Sequence, residues 1–112
     1  MKYIIASLFV TTLVTQQANA DVVSWYGGEH HGRTTASGEK FNQNALTAAS
    51  NVHKLGSLLK VTNKANGKSV VVRVTDTGGF GKYGRTLDLS KGAFSRIANP
   101  SNGLAKVDIV RL

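Results

Sequence analysis

Two acidic residues stand where a carboxyl group could take part in catalysis. Asp76 ends the segment S-V-V-V-R-V-T-D, which glycines follow, and Glu39 ends the segment T-A-S-G-E. Because β-branched valines are typical of a buried strand and glycines permit a sharp turn, Asp76 is predicted at the end of a central strand. An acid in this position often does no more than cap the turn, and that alternative stays open. Glu39 stands two residues before Phe41, and partial burial beside that ring predicts a raised pKa.

The aromatic pair Trp25 and Tyr26 could form part of a groove for sugars. Flat rings suit the apolar faces of sugars as well as they suit a hydrophobic core. Neighbouring residues of a strand face opposite ways, so Tyr26 is the better candidate for a groove wall and Trp25 for the core. His30 and His31 follow, but adjacent histidines point apart on an extended chain, and no further Cys or His stands at a zinc-site spacing. We therefore predict neither a metal nor a cofactor.

The first twenty residues have the pattern of a secretory signal peptide. Lys2 gives a positive start, an apolar run extends over residues 4–14, and Ala18-Asn19-Ala20 has the small-x-small pattern of a cleavage site. The run is short for a membrane-spanning helix, so we expect cleavage after Ala20 and no stable membrane insertion afterwards. A single domain over residues 21–112 is then expected in the periplasm or outside the cell. The sequence has no cysteine, so neither disulfides nor a lipid-bearing cysteine is expected.

The charge of the chain restricts the classes of partner. Fourteen Lys and Arg residues against six Asp and Glu residues give a formal net charge of +8, which favours polyanions. Outside the cytoplasm these are cell-wall glycans and membrane surfaces. The basic residues are scattered singly, without the interleaved aromatic residues typical of single-stranded nucleic acid binding, so nucleic acid is not predicted as a partner.

The spacing of apolar and turn residues predicts a mainly β fold. Short alternating or β-branched runs predict five or six strands, and Ser90 is a candidate N-cap for a helix over residues 91–98. Asn66-Gly67 lies between two such runs and is the strongest hairpin signal in the chain. Short strands, one short helix and long polar loops are typical of a small closed barrel. We expect it to be a monomer.

Several separate segments, in the same order, resemble the rare lipoprotein A family. They are S-W-Y-G-G, H-G-R-T-T-A-S-G-E-K-F-N, A-L-T-A-A, the long run L-G-S-L-L-K-V-T-N-K-A-N-G-K-S-V-V-V-R-V-T-D-T-G-G-F, and R-T-L-D-L-S-K-G-A-F. The resemblance extends from Ser24 to about Ile97. It implies a small six-stranded double-psi β-barrel with one short helix. It also implies lytic transglycosylase activity on peptidoglycan strands that lack stem peptides.

The resemblance also implies roles for particular residues. Glu39 is similar to a conserved glutamate of the family, and Asp76 to its essential aspartate, so these two are the expected catalytic residues. Asp88, in R-T-L-D-L-S, resembles an aspartate that expansins and related barrel glycosidases place in the same groove. We expect Asp88, Tyr26 and Trp25 to bind substrate.

The chain departs from the family pattern at three positions. Ser50 stands where the family usually has histidine, and Thr77 and Gly79 replace an arginine and a proline. Thr77 can neither lower the pKa of a neighbouring acid nor grip a carboxylate as arginine does. His53, three residues after Ser50, is a candidate for the missing imidazole, and both are included among the expected substrate-binding residues.

The resemblance implies endolytic cleavage between MurNAc and GlcNAc units, which leaves 1,6-anhydro-MurNAc ends. The 6-hydroxyl of the muramic sugar attacks, so one carboxyl group can act first as acid and then as base. We expect Asp76 to take that role, with Glu39 across the same cleft placing substrate or sharing the proton. A non-catalytic, expansin-like module that grips cell-wall glycan is the alternative. A secreted partner of an envelope machine or an inter-cell effector is a third possibility, because fold alone does not fix function.

Overall fold

The described residues of the computed structural model, 21–77 and 85–112, form a closed barrel of six strands with one helix. The predicted mainly β barrel with one short helix is confirmed. The predicted signal peptide and Gly79 lie outside the described residues. The elements in chain order are β1 (Asp21–Tyr26), β2 (Thr47–Ala49), β3 (Leu58–Asn63), β4 (Ser69–Asp76), β5 (Arg85–Ser90), α1 (Lys91–Ile97) and β6 (Ala105–Arg111).

The strands close in the order β1, β5, β2, β4, β3, β6. The pairs β1–β5 and β2–β4 are parallel, and the other four pairs are antiparallel. The hairpin predicted at Asn66-Gly67 is confirmed, since β3 and β4 pair in register from Leu58 with Arg73 to Thr62 with Ser69. The parallel pairs join strands that are distant in sequence, and they bring the chemically interesting residues together.

Alternation along the strands builds the core. Val70, Val72 and Val74 of β4 are buried while Val71 between them is exposed, as expected for a strand with one face inside the barrel. The helix α1 packs against β1, β4 and β5 and contributes Phe94, which is fully buried. Among the described residues, no helix is of a length and hydropathy that would let it cross a membrane.

One row of residues crosses four adjacent strands at the same level. The members of the row, each paired with the next, are Ser24, Asp88, Ala49 and Asp76. A bulge in the β2–β4 pair skips Thr75, so that Asp76 rather than Thr75 lies opposite Ala49. Bulges of this kind re-aim a side chain. With strands about 4.8 Å apart, the Cα atoms of the two aspartates lie about 10 Å apart, with the small side chain of Ala49 between them.

Gly92 in α1 is explained by the close approach of the loop before β2. Its N–H donates a hydrogen bond to the Gln43 carbonyl at 2.7 Å. A Cβ atom at this position would lie 2.7 Å from the Asn44 carbonyl oxygen and 2.9 Å from its carbon. Helix propensity favours alanine here by about 1 kcal/mol, but this backbone contact leaves no space for the methyl group.

We predict that Gly92→Ala lowers the free energy of unfolding by about 1 to 3 kcal/mol, because overpacking outweighs the gain in helix propensity. Denaturant unfolding of the purified protein measures this. Ser95→Ala, on the exposed side of the same helix, is the control and should change stability little. A variant Gly92→Ala as stable as the wild type would contradict the predicted contact.

Candidate functional site

A tight turn over residues 34–40 covers the end of β4. A bridge between Thr34 and Lys40 closes the turn, and the Thr35 N–H and hydroxyl both donate to the Glu39 carbonyl at 2.7 and 2.9 Å. Gly38 has a φ of +91°, a conformation that favours glycine. Two amides of the turn then reach β4: the Ser37 N–H donates to the Thr75 carbonyl at 3.0 Å, and the Ala36 N–H to Asp76 Oδ1 at 3.1 Å.

The Asp76 carboxylate is oriented through one of its two oxygens. Oδ1 accepts hydrogen bonds from the N–H groups of Ala36, at 3.1 Å, and of its own neighbour Thr77, at 2.9 Å. Within the described residues, every hydrogen bond to this carboxylate reaches Oδ1. The backbone is also fixed, since the Ser50 N–H donates to the Asp76 carbonyl at 2.9 Å. Asp76 therefore caps the end of its strand, and its carboxylate is oriented by two backbone N–H groups.

Asp76 lines a cleft of about 180 Å³ with an aromatic wall. The residues lining this Asp76 cleft are Tyr26, His30, Arg33, Thr34, Thr35, Phe41 and Asp76. The rings of Tyr26 and Phe41 are stacked, with centroids 4.4 Å apart and planes at 14°, and His30 meets Tyr26 edge-on at 5.6 Å. The expected groove-wall position of Tyr26 matches this geometry.

The pKa of Tyr26 responds both to burial and to two carboxylates. Burial raises the pKa of Tyr26 well above its usual range, and the negative charges of Asp76 and Asp88 raise it further. Its hydroxyl oxygen is buried and has no hydrogen-bond partner among the described residues. Asp88 is held in turn by the Ser24 hydroxyl, which donates to its Oδ1. Sequence reasoning thus placed Asp76, Asp88 and Tyr26 in one site, and the structure brings these three together.

Glu39 lies in a different environment from the one predicted. Both of its carboxylate oxygens accept hydrogen bonds from the Arg73 guanidinium, at 2.6 and 2.8 Å, and both side chains are nearly half exposed. The hydrogen bonds from Arg73 hold the pKa of Glu39 below its usual range. The prediction that burial beside Phe41 raises this pKa is therefore wrong.

The two expected catalytic acids do not meet in one cleft. Glu39 lines a neighbouring cavity of about 120 Å³ together with Arg73 and Thr75, and among the described residues this cavity shares Thr35 and Phe41 with the Asp76 cleft. The physical reason lies in the turn, which presents the Ala36 amide to Asp76 and directs Glu39 towards Arg73 on β4.

Four expected substrate-binding residues, Trp25, Asp88, Ser50 and His53, are not among the residues that line the Asp76 cleft. The Trp25 indole N–H donates to the Pro100 carbonyl at 2.9 Å, and its ring packs against the core. The Ser50 side chain is buried, and its hydroxyl accepts hydrogen bonds from the N–H groups of Val52 and His53 at 3.0 Å each. The cleft lining does not include the His53 imidazole.

Sequence reasoning missed three residues near Asp76. His30 and Arg33 line the cleft, and Arg73 binds Glu39. A short 3₁₀ turn over Gly28–His30 folds His30 back towards the ring of Tyr26. In the sequence, the two glycines after Tyr26 were the feature that could have predicted this change of chain direction. For Arg73, the alternation of side chains along the strand indicates that this side chain points out of the barrel, but it does not identify Glu39 as the partner.

Comparison with known proteins gives concordant results. The family model described as "Lytic transglycolase" matches residues 18–109. The chain is 45% identical over 98 residues to the endolytic peptidoglycan transglycosylase RlpA of Neisseria meningitidis, and 46% identical over 100 residues to the protein of that name from Campylobacter jejuni. Each alignment covers 88% of this chain but only 39% and 36% of the relative. The chain thus spans little more than a third of the length of these curated relatives.

Two solved structures share the fold at low sequence identity. One is a mutant expansin of Clavibacter michiganensis in complex with cellohexaose, with a TM-score of 0.65 and 19% identity, covering 83% of this chain and 49% of the expansin. The other is the Streptomyces papain inhibitor, with a TM-score of 0.62 and 20% identity, covering 83% of this chain and 94% of the inhibitor. At these identities the likeness concerns the fold alone. The family model and the relatives show that the chain belongs to the RlpA-like double-psi β-barrel family of lytic transglycolases.

Proposed function

We propose that this domain is an endolytic lytic transglycosylase that cleaves peptidoglycan glycan strands, with Asp76 as its acid and base. The observation that carries the proposal is the Asp76 carboxylate, oriented by two N–H groups on Oδ1 and lining an aromatic-walled cleft. The relatives are named endolytic peptidoglycan transglycosylases, which supports the same reaction. Residues 1–20 are proposed to direct export to the periplasm or beyond, where the substrate lies.

The proposed reaction moves one proton from Asp76 and one back to it. Protonated Oδ2 donates to the oxygen that links MurNAc C1 to GlcNAc, and this bond breaks with its electron pair going to that oxygen. The muramic 6-hydroxyl then attacks C1 while Asp76 removes its proton. The products are a 1,6-anhydro-MurNAc end and a new GlcNAc hydroxyl, and no water is consumed.

The remaining groups of the site suit the charge that develops on the sugar. Asp88, held by Ser24, supplies a second carboxylate from the same row, with its Cα atom about 10 Å from that of Asp76. A carboxylate near the positive sugar carbon stabilises it electrostatically. The Tyr26 ring forms the wall against which a sugar face can lie. Its buried hydroxyl is then available to hydrogen-bond with a sugar oxygen.

In this proposal, the other expected residues support the site and do not contact the substrate themselves. Trp25 anchors β1 through Pro100, and Ser50 fixes the backbone of Asp76 and the loop that carries His53. The Glu39 carboxylate is ionised and bound by Arg73, so sharing a proton with Asp76 is not part of the mechanism.

A non-catalytic, expansin-like glycan-binding module is the second candidate. It is favoured by Ser50 and Thr77 in place of the family's usual residues, and by the similar fold of an expansin solved in complex with cellohexaose. Such a module would sediment with purified sacculi and release no soluble fragments, even after long incubation. Release of anhydro-ended fragments excludes it.

We predict that Asp76→Asn lowers the release of anhydro-ended fragments from stripped glycan strands about a hundredfold or more, because the amide cannot donate and recover the proton. Mass spectrometry of the digest identifies both the bond cleaved and the anhydro end. Asp108→Asn, on the exposed part of β6, is the matched control and should digest at the wild-type rate. Undiminished release by Asp76→Asn would remove this residue from the mechanism.

We also predict that the Tyr26 phenol stays protonated above pH 10, the usual midpoint for tyrosine. Tyr83→Phe leaves Tyr26 as the only tyrosine in residues 21–112, so phenolate absorbance then reports on it alone. The absorbance should rise only well above pH 10, or together with unfolding detected by circular dichroism. A reversible midpoint at pH 10 in the folded protein would show that the hydroxyl is neither buried nor close to Asp76 and Asp88.

A further inference from the structure

Polar contacts join the turn over residues 34–40 to β4. Within these residues, all of them described, only Thr35 is buried. Three contacts join the turn to three positions of β4: Glu39 with Arg73, the Ser37 N–H with the Thr75 carbonyl, and the Ala36 N–H with Asp76 Oδ1. The last of these orients the proposed catalytic carboxylate.

We propose that Glu39 and Arg73 form a clamp that holds the Ala36 amide on Asp76, so that both are positioning residues for glycan cleavage. The inference rests on the proposed function and extends it to Arg73, which no motif singled out. Glu39 contributes through Arg73 and does not itself touch the sugar or the reacting proton.

The geometry of the pair fits this role. Two parallel hydrogen bonds, Nη1 to Oε2 at 2.6 Å and Nη2 to Oε1 at 2.8 Å, fix both the distance and the orientation of the two side chains. A planar guanidinium makes this two-point contact, and a lysine ammonium does not. Because Arg73 lies in β4, the clamp ties the turn to the rigid part of the barrel.

The clamp should affect the position of the Ala36 amide more than the stability of the fold. Exposed ion pairs contribute little to the stability of a fold, and both side chains here are more than two-fifths exposed. Breaking the pair leaves the barrel intact but frees the end of the turn from β4. The Ser37 N–H on the Thr75 carbonyl is then the remaining tether of the turn, so the Ala36 N–H holds Oδ1 less firmly, and the N–H of Thr77 is the other described donor to Asp76. Small displacements of a catalytic group cost large factors in rate.

A charge-swap experiment separates positioning from direct chemistry. The proteins compared are the wild type, Glu39→Arg, Arg73→Glu and the double variant Glu39→Arg/Arg73→Glu, all with stripped glycan strands as substrate. Each single variant places like charges together, and we expect its kcat to fall about tenfold to a hundredfold. The double variant restores opposite charges, and its kcat should return to within about threefold of the wild type. If the double variant stays as slow as Glu39→Arg, the Glu39 carboxylate itself takes part in chemistry or substrate binding, and the clamp is overturned.

Amide hydrogen exchange at Ala36, followed by NMR without substrate, gives a second readout that does not depend on activity. Exchange should be faster in both single variants and slow again in the double variant, while the denaturant midpoint stays close to that of the wild type in all of them. Asp108→Asn, which breaks the ion pair of Lys64 with Asp108, is the control and should leave Ala36 exchange and kcat unchanged. Unchanged Ala36 exchange in the single variants overturns the clamp. A wild type that releases no anhydro product overturns the proposed function alone.

Discussion

The hydrogen bond between the Ala36 amide and the Asp76 carboxylate is the contact on which the rest of the site depends. It exists because two independent features meet at the end of β4. A bulge in the β2–β4 pair brings Asp76 opposite Ala49 and re-aims its side chain. A turn closed by Thr35 and Gly38 then places an N–H group on that carboxylate. The barrel is rigid enough to keep both features in place, since each strand is paired on both sides.

The electrostatics of the site differ from those of the whole protein. The chain carries a formal net charge of +8, which favours contact with anionic polymers. The row from Ser24 to Asp76 nevertheless contains two aspartates, Asp76 and Asp88, and after burial, the larger cause, their negative charge raises the pKa of Tyr26. A basic surface with two aspartates in one row suits the proposed reaction, in which the protein approaches an anionic wall and positive charge develops on a sugar.

Local patterns in the sequence predicted the local structure, while contacts between distant segments could not be predicted in this way. Asn66-Gly67 set the β3–β4 register because the turn itself determines the pairing. Strand alternation placed Trp25 against the core and Tyr26 in the cleft. The row from Ser24 to Asp76 depends on parallel pairing between distant strands, which no local pattern encodes. The error about Glu39 has the same origin, because its pKa is determined by Arg73, a residue 34 positions away in the chain.

A crystal structure of Asp76→Asn bound to a fragment of stripped glycan strand would show whether position 76 faces the bond that is cleaved. We predict one sugar ring against Tyr26 and the linking oxygen of a MurNAc–GlcNAc bond within about 3 Å of the side chain at position 76. A fragment bound elsewhere on the barrel, with its linking oxygens far from position 76 and the ring of Tyr26 uncovered, would contradict it.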